Sequence, residues 1–132
     1  MPITYEIDRS RRIVFTKAVG ILTPEDMFAY QREAWSTPEL KHYDECIDMS
    51  AVTSVEGATE MNMKALAALS VQTDDPAQPS KLVIIASEKL HFGLARMYET
   101  YRSLERKHSR QVAIFRTREE ALRWLTREST AH

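Results

Sequence analysis

The sequence predicts an α/β fold: a five-stranded, mixed and mainly parallel sheet flanked by four helices, in the order β-β-α-β-α-β-α-β-α. Three observations carry this. Near the N-terminus, Ile3, Tyr5 and Ile7 alternate with Thr4, Glu6 and Asp8, the period of a half-buried strand. Leu82-Val83-Ile84-Ile85-Ala86 is a continuous apolar run, which marks a strand covered on both faces. The later strands alternate with capped helical segments, which implies parallel pairing through right-handed crossovers.

The first strand covers 3–8. Arg9 to Arg11 can turn the chain into a second strand over 12–19, hairpin-paired with the first, and Gly20 punctuates its end. Thr23-Pro24-Glu25-Asp26 starts a helix: Thr23 caps, Pro24 suits the first helical position, and Asp26 occupies the capping-box position. This helix runs to about Trp35, with Met27, Tyr30 and Ala34 toward the core, and Thr37-Pro38 stops it. A third strand covers 43–49, centred on Cys46 and Ile47, and a second helix rich in Ala, Met and Leu covers 58–71. The buried fourth strand covers 81–87. A long helix follows over 90–107, with Leu90, Leu94, Met97, Tyr101 and Leu104 on one stripe. The fifth strand is 111–116. Thr117-Arg118-Glu119-Glu120 is a capping box that opens a last helix through Ala121, Leu122, Trp124 and Leu125.

The 132 residues suit a single domain, 1–132, and the Pro-containing stretch 73–80 is too short to separate two. With 43% hydrophobic and 28% charged residues, a packed core with a solvated surface is expected. No apolar run approaches the ~20 residues of a membrane helix, so no membrane span is expected. The N-terminal stretch lacks a signal peptide's apolar segment, and Cys46 has no partner cysteine; a reducing cytoplasm is the expected compartment. A net charge of −1 argues against a nucleic-acid binder. The charge is unevenly spread: residues 1–80 carry 7 Lys/Arg and 13 Asp/Glu, residues 81–132 carry 11 and 6. That polarity could serve head-to-tail association, a homodimer or an anionic partner, or simply mix on the folded surface.

In an open α/β sheet, ligands sit beyond the carboxyl ends of the parallel strands, where helix N-termini favour anions. The residues expected there are Ser50, Thr53, Ser87, His91 and Thr117. Gly93 and Arg96, one turn apart on the third helix, could flank an anionic head group; alternatively Gly93 allows close packing and Arg96 pairs with a nearby acid. Ser50, Ser87 and Thr117 could equally cap turns and helices without any ligand. Arg96, Glu99, Ser103, Arg106 and Lys107 form a polar stripe without interleaved aromatics, as a solvated helix face does. Met61, Met63, Leu66 and Leu69 would suit either an adaptable groove or a helix packed on the sheet.

Catalytic signals are lacking. His42, His91, His108 and His132 show no metal spacing, and no P-loop, G-x-G-x-x-G or G-x-S-x-G is present. Cys46 lies in a strand, away from any nucleophilic pairing. Asp48 and Glu56 read as surface carboxylates. A hydrolase or isomerase would need a convergent set such as His91 against a carboxylate. The expectation is a non-enzymatic module without cofactor or metal.

Asp48-Met49-Ser50-Ala51-Val52 is similar to the D-L-S-x-V segment that ends a central strand in STAS domains, the fold of the anti-sigma-factor antagonist SpoIIAA. Segments 20–26, 93–98, 112–116 and 120–125 resemble the SpoIIAA-like group, also described as STAS/SEC14-like, and with the element order the resemblance spans nearly the whole chain. It implies the fold, and a binding or regulatory role toward a small amphipathic, anionic or lipid-like ligand. The alternative it implies is a protein-interaction domain of the antagonist kind. The classical antagonists carry a phosphorylatable Ser shortly after D-L-S-x-V; here the stretch reads Glu56-Gly57-Ala58-Thr59, and the acceptor position falls on Gly57. This speaks against classical phospho-switching, and nothing favours Ser54 or Thr59 as a substitute.

Overall fold

In a computed structural model, which describes residues 2–127, five strands and four helices follow the predicted order. They are β1 (Ile3–Asp8), β2 (Ile13–Leu22), α1 (Pro24–Ala34), β3 (Asp44–Val55), α2 (Glu60–Val71), β4 (Lys81–Ile85), α3 (Lys89–Ser103), β5 (Gln111–Phe115) and α4 (Arg118–Thr126). The strands lie side by side in chain order, β1 antiparallel to β2 and the rest parallel. Each crossover therefore advances one strand in the same direction, and right-handed connections put α1, α2 and α3 on one face. The packing agrees. Tyr30 and Ala34 of α1 pack with Val14, while Met63, Leu66, Ala95 and Tyr98 of α2 and α3 pack with Leu82 and Ile84. Helix α4 covers the other face, burying Ala121 and Leu125 against Ile13, Cys46, Val83 and Ile85. Strand β4 is thus sandwiched, and Leu82 to Ile85 are all buried.

The local signals work as expected at the β1–β2 turn and the α1 cap. Asp8 accepts from the Arg11 backbone N–H, the Arg11 guanidinium and the Ser10 hydroxyl. These bonds, the backbone one foremost, hold its carboxyl at about 2. Thr23 accepts from Asp26 N while Asp26 accepts from Thr23 N, a complete capping box. At α4, Thr117 accepts from Glu120 N, but Glu120 Oε1 takes the Thr117 hydroxyl in return.

Three boundaries depart from the sequence reading. Strand β2 runs on through Gly20, which adopts φ +79°, a backbone conformation glycine takes without steric cost. Strand β3 extends with it to Val55, pairing Val19 with Ala51 and Leu22 with Val55. Two register shifts each place one extra residue in β3, between Asp48 and Ala51 and between Val52 and Ser54. These bulges break the alternation that would have shown the strand in the sequence. The third departure is α3, which ends at Ser103 and is rotated from the expected stripe. Its buried residues are His91, Ala95, Tyr98 and Arg102, while Leu90 and Leu104 are 69% and 74% exposed. The cause is polar: the Tyr98 hydroxyl donates to Ser70 Oγ at 2.7 Å and Arg102 pairs with Asp74 at 2.8 Å, so the helix turns these groups inward.

Burial has a pH consequence. It pushes the Cys46 thiol from 9.0 up to about 11, and it raises both Tyr30 and Tyr98 above 10.0. Each group stays protonated in the fold at a pH where the unfolded chain releases its proton. Its contribution is complete below the unfolded value and is lost as pH rises toward the folded one. The urea midpoint should fall steadily from about pH 9 to pH 11; a flat profile would contradict the burial of these groups.

Candidate functional site

None of the seven predicted ligand residues lines the cavity beneath the helices or the hollow at the β1–β2 turn. Ser50 and Thr53 lie within the bulged segments of β3, not beyond its end, because the strand continues to Val55. Ser50 is exposed and its N–H and hydroxyl both donate to the Asp48 carboxylate. Ser87 is exposed just past β4, and Thr117 caps α4. A Cβ at Gly93 would meet no atom within 4 Å, so close packing is not what a glycine serves there. The Arg96 side chain is 65% exposed and lies 3.5 Å from Glu99, the nearby acid. His91 is buried, its Nδ1 without a hydrogen-bond partner, so no carboxylate activates it there. His132 lies outside the described residues. Among the described residues, no group of three or more His, Cys, Asp or Glu is placed to hold a metal ion, and no helix is long and apolar enough to cross a membrane.

A different site stands out. Under α1, α2 and α3, against β2, β3 and β4, lies a cavity of about 90 Å³. No charged residue lines it. Met27, Met49 and Met63 contribute flexible thioethers that can repack around an occupant. Ala18 on β2 and Ala95 on α3 leave the room, since a larger side chain at either position would reach into it. Met63 and Leu66 line it, as a groove reading of α2 requires, whereas Met61 is 79% exposed.

One end of the cavity rests on a buried polar network. Thr16 and Tyr30 both line the cavity, and their oxygens are 2.6 Å apart. The Tyr30 hydroxyl donates to Glu45 Oε2 at 2.6 Å and accepts from Trp35 Nε1 at 3.0 Å. Arg110 donates to Glu45 Oε1 at 2.6 Å and lies over the Trp35 ring. Asp74 receives both Nη atoms of Arg102 and the backbone N–H groups of Ser109 and Arg110. Arg102 also donates to Ser70, which receives the Tyr98 hydroxyl, and Tyr98 returns to the cavity wall. Two carboxylates thus meet two guanidiniums, and side-chain exposure is at most 5% throughout. Burial, then the Glu45 charge, drives the Tyr30 pKa well above 10.0. Sequence reasoning missed this network. Its one visible signal was Glu45, a carboxylate between Tyr43 and Ile47 on the inward face of a predicted central strand, where a charge requires a partner.

The likeness to known proteins lies in the fold. The chain is similar to the crystal structure of an uncharacterized DUF3478-family protein with a SpoIIAA-like fold from Shewanella loihica PV-4. The TM-score is 0.56 and the identity 20%, over 93% of each chain. No family model matches the chain, and no curated protein matches it. The architecture is therefore SpoIIAA-like. Gly57, the position that the sequence resemblance matches to the phosphoacceptor, has φ +71°, and a Cβ there would lie 3.0 Å from Pro24 Cγ and Cδ. A serine would be strained and crowded at once, so the position is built for glycine.

Proposed function

We propose that this protein is a non-enzymatic binding module that takes a small, largely apolar molecule into the cavity beneath α1, α2 and α3. The observation that carries this reading is the charge-free cavity itself, held open over a rigid, fully paired polar floor. Three methionines give its walls the adaptability of a promiscuous apolar site. The anionic part of an amphipathic ligand has no cation inside the cavity and would have to lie outside it.

Native mass spectrometry of the freshly purified protein, followed by denaturing extraction, tests the proposal. A small molecule that travels with the wild-type protein and is absent from Ala95→Leu supports it. Identical retention by both proteins moves the site elsewhere. Ala95→Leu should also raise the unfolding free energy by about 1 kcal/mol, because its added methylenes fill existing space where enlarging a core side chain ordinarily strains the fold. Urea unfolding checks this, and a loss of stability would mean that the space is not available.

One observation favours a second reading, a protein-interaction domain without a small ligand. Val19 and Ile21 of β2 are 49% and 53% exposed. A salt-independent monomer in gel filtration, with no co-purifying protein, would count against it.

A further inference from the structure

We infer that the occupant of this cavity is a neutral, unbranched aliphatic chain carrying at most one uncharged polar tip; this rests on the ligand-binding reading above and narrows it. Shape favours an extended chain. The lining runs from Thr16 to Leu22, six residues along β2, or about 20 Å at the strand rise, and crosses the sheet from Ile3 on β1 to Ile84 on β4. A volume of only about 90 Å³ spread over that lining makes the space narrow. A single methylene chain fills a narrow slot by extension, and the three methionines can move aside for it.

Polarity excludes charge. The Tyr30 hydroxyl is saturated: its proton goes to Glu45, and its lone pairs take Trp35 Nε1 and the Thr16 hydroxyl. The Tyr98 hydroxyl has its proton committed to Ser70. What remains for a ligand is the lone pairs of Thr16 and Tyr98, which only accept, and the half-buried side-chain amide of Gln31. A carboxylate or phosphate drawn into this space would shed its hydration and meet no cation. The Gln31 amide can donate to the oxygen of an alcohol, ester or amide tip, and its carbonyl can accept from the O–H or N–H of an alcohol or amide.

The test is calorimetric titration of the full chain with 1-butanol, 1-hexanol and 1-octanol, and with octanoate, cyclohexanol and benzene. Affinity should rise about fourfold per added methylene along the alcohol series. Octanoate should bind at least about tenfold more weakly than 1-octanol at pH 8, cyclohexanol and benzene should not saturate, and Ala95→Leu should abolish octanol binding. Ala18→Val serves the same purpose if Ala95→Leu does not fold. Octanoate or the rings binding as tightly as 1-octanol, with the competition lost in Ala95→Leu, would overturn the ligand class and leave the cavity as the site. No saturable binding by any of the six probes overturns both the class and the cavity.

Discussion

Replacing Asp74 with alanine should lower the unfolding free energy by about 3–5 kcal/mol, the cost of leaving a buried charge without its partner. The Asp74 side chain is fully buried, and Arg102, paired to it, is 3% exposed. Without the carboxylate, Arg102 keeps only Ser70 Oγ at 3.1 Å, and the N–H groups of Ser109 and Arg110 lose their acceptor. Asp74 joins the segment after α2, the end of α3 and the entry to β5, so the loss loosens three elements together. Against a typical total of about 5–15 kcal/mol, this is a large fraction. Urea unfolding followed by tryptophan fluorescence reads it. Glu119→Ala is the control: its partner Arg123 is 73% exposed, and removing such a surface pair should cost less than about 0.5 kcal/mol. Equal effects in the two variants would show that the buried network carries no special share of stability.

Tyr30→Phe should cost about 2–3 kcal/mol while leaving the packed ring in place, the range for stranding buried hydrogen-bonding groups. One hydroxyl serves three neighbours. Its loss leaves Trp35 Nε1 with the longer 3.2 Å bond to Glu45, and leaves Thr16 without its partner. The freed Thr16 proton then faces the cavity, so the variant should bind an alcohol or ester tip differently from the wild type. Denaturant unfolding gives the first number and titration with 1-octanol the second. A variant as stable as wild type would mean that water or rotation satisfies the orphaned groups, and that the cavity floor is softer than its hydrogen bonds indicate.

Much of the fold was legible because its signals are local. Thr23, Pro24 and Asp26 lie within four residues of one another and fix the start of α1. The apolar run 82–86 needs no partner to declare a doubly covered strand. The failures have a common cause in interactions between distant segments. Arg102 reaches Asp74, 28 residues away, and Arg110 reaches Glu45, 65 residues away. No periodicity marks such pairs, so α3 was read with its leucines inward when its arginine and tyrosine set the rotation. The bulges in β3 hid its second half in the same way, and Ser50 and Thr53 were placed at a strand end that lies further on. The cavity is the extreme case. It exists because Ala18 and Ala95, one on the sheet and one on a helix, leave space between them. An alanine in either element reads as an ordinary core residue.

Methionine-methyl NMR during titration with 1-octanol tests the central claim most directly, because the methionines report position. Met27, Met49 and Met63 line the cavity, whereas Met61 is exposed on α2. The account predicts saturable shifts in the first three resonances and none in Met61. Shifts confined to Met61, or no shift in Met27, Met49 and Met63 at saturation, would contradict it.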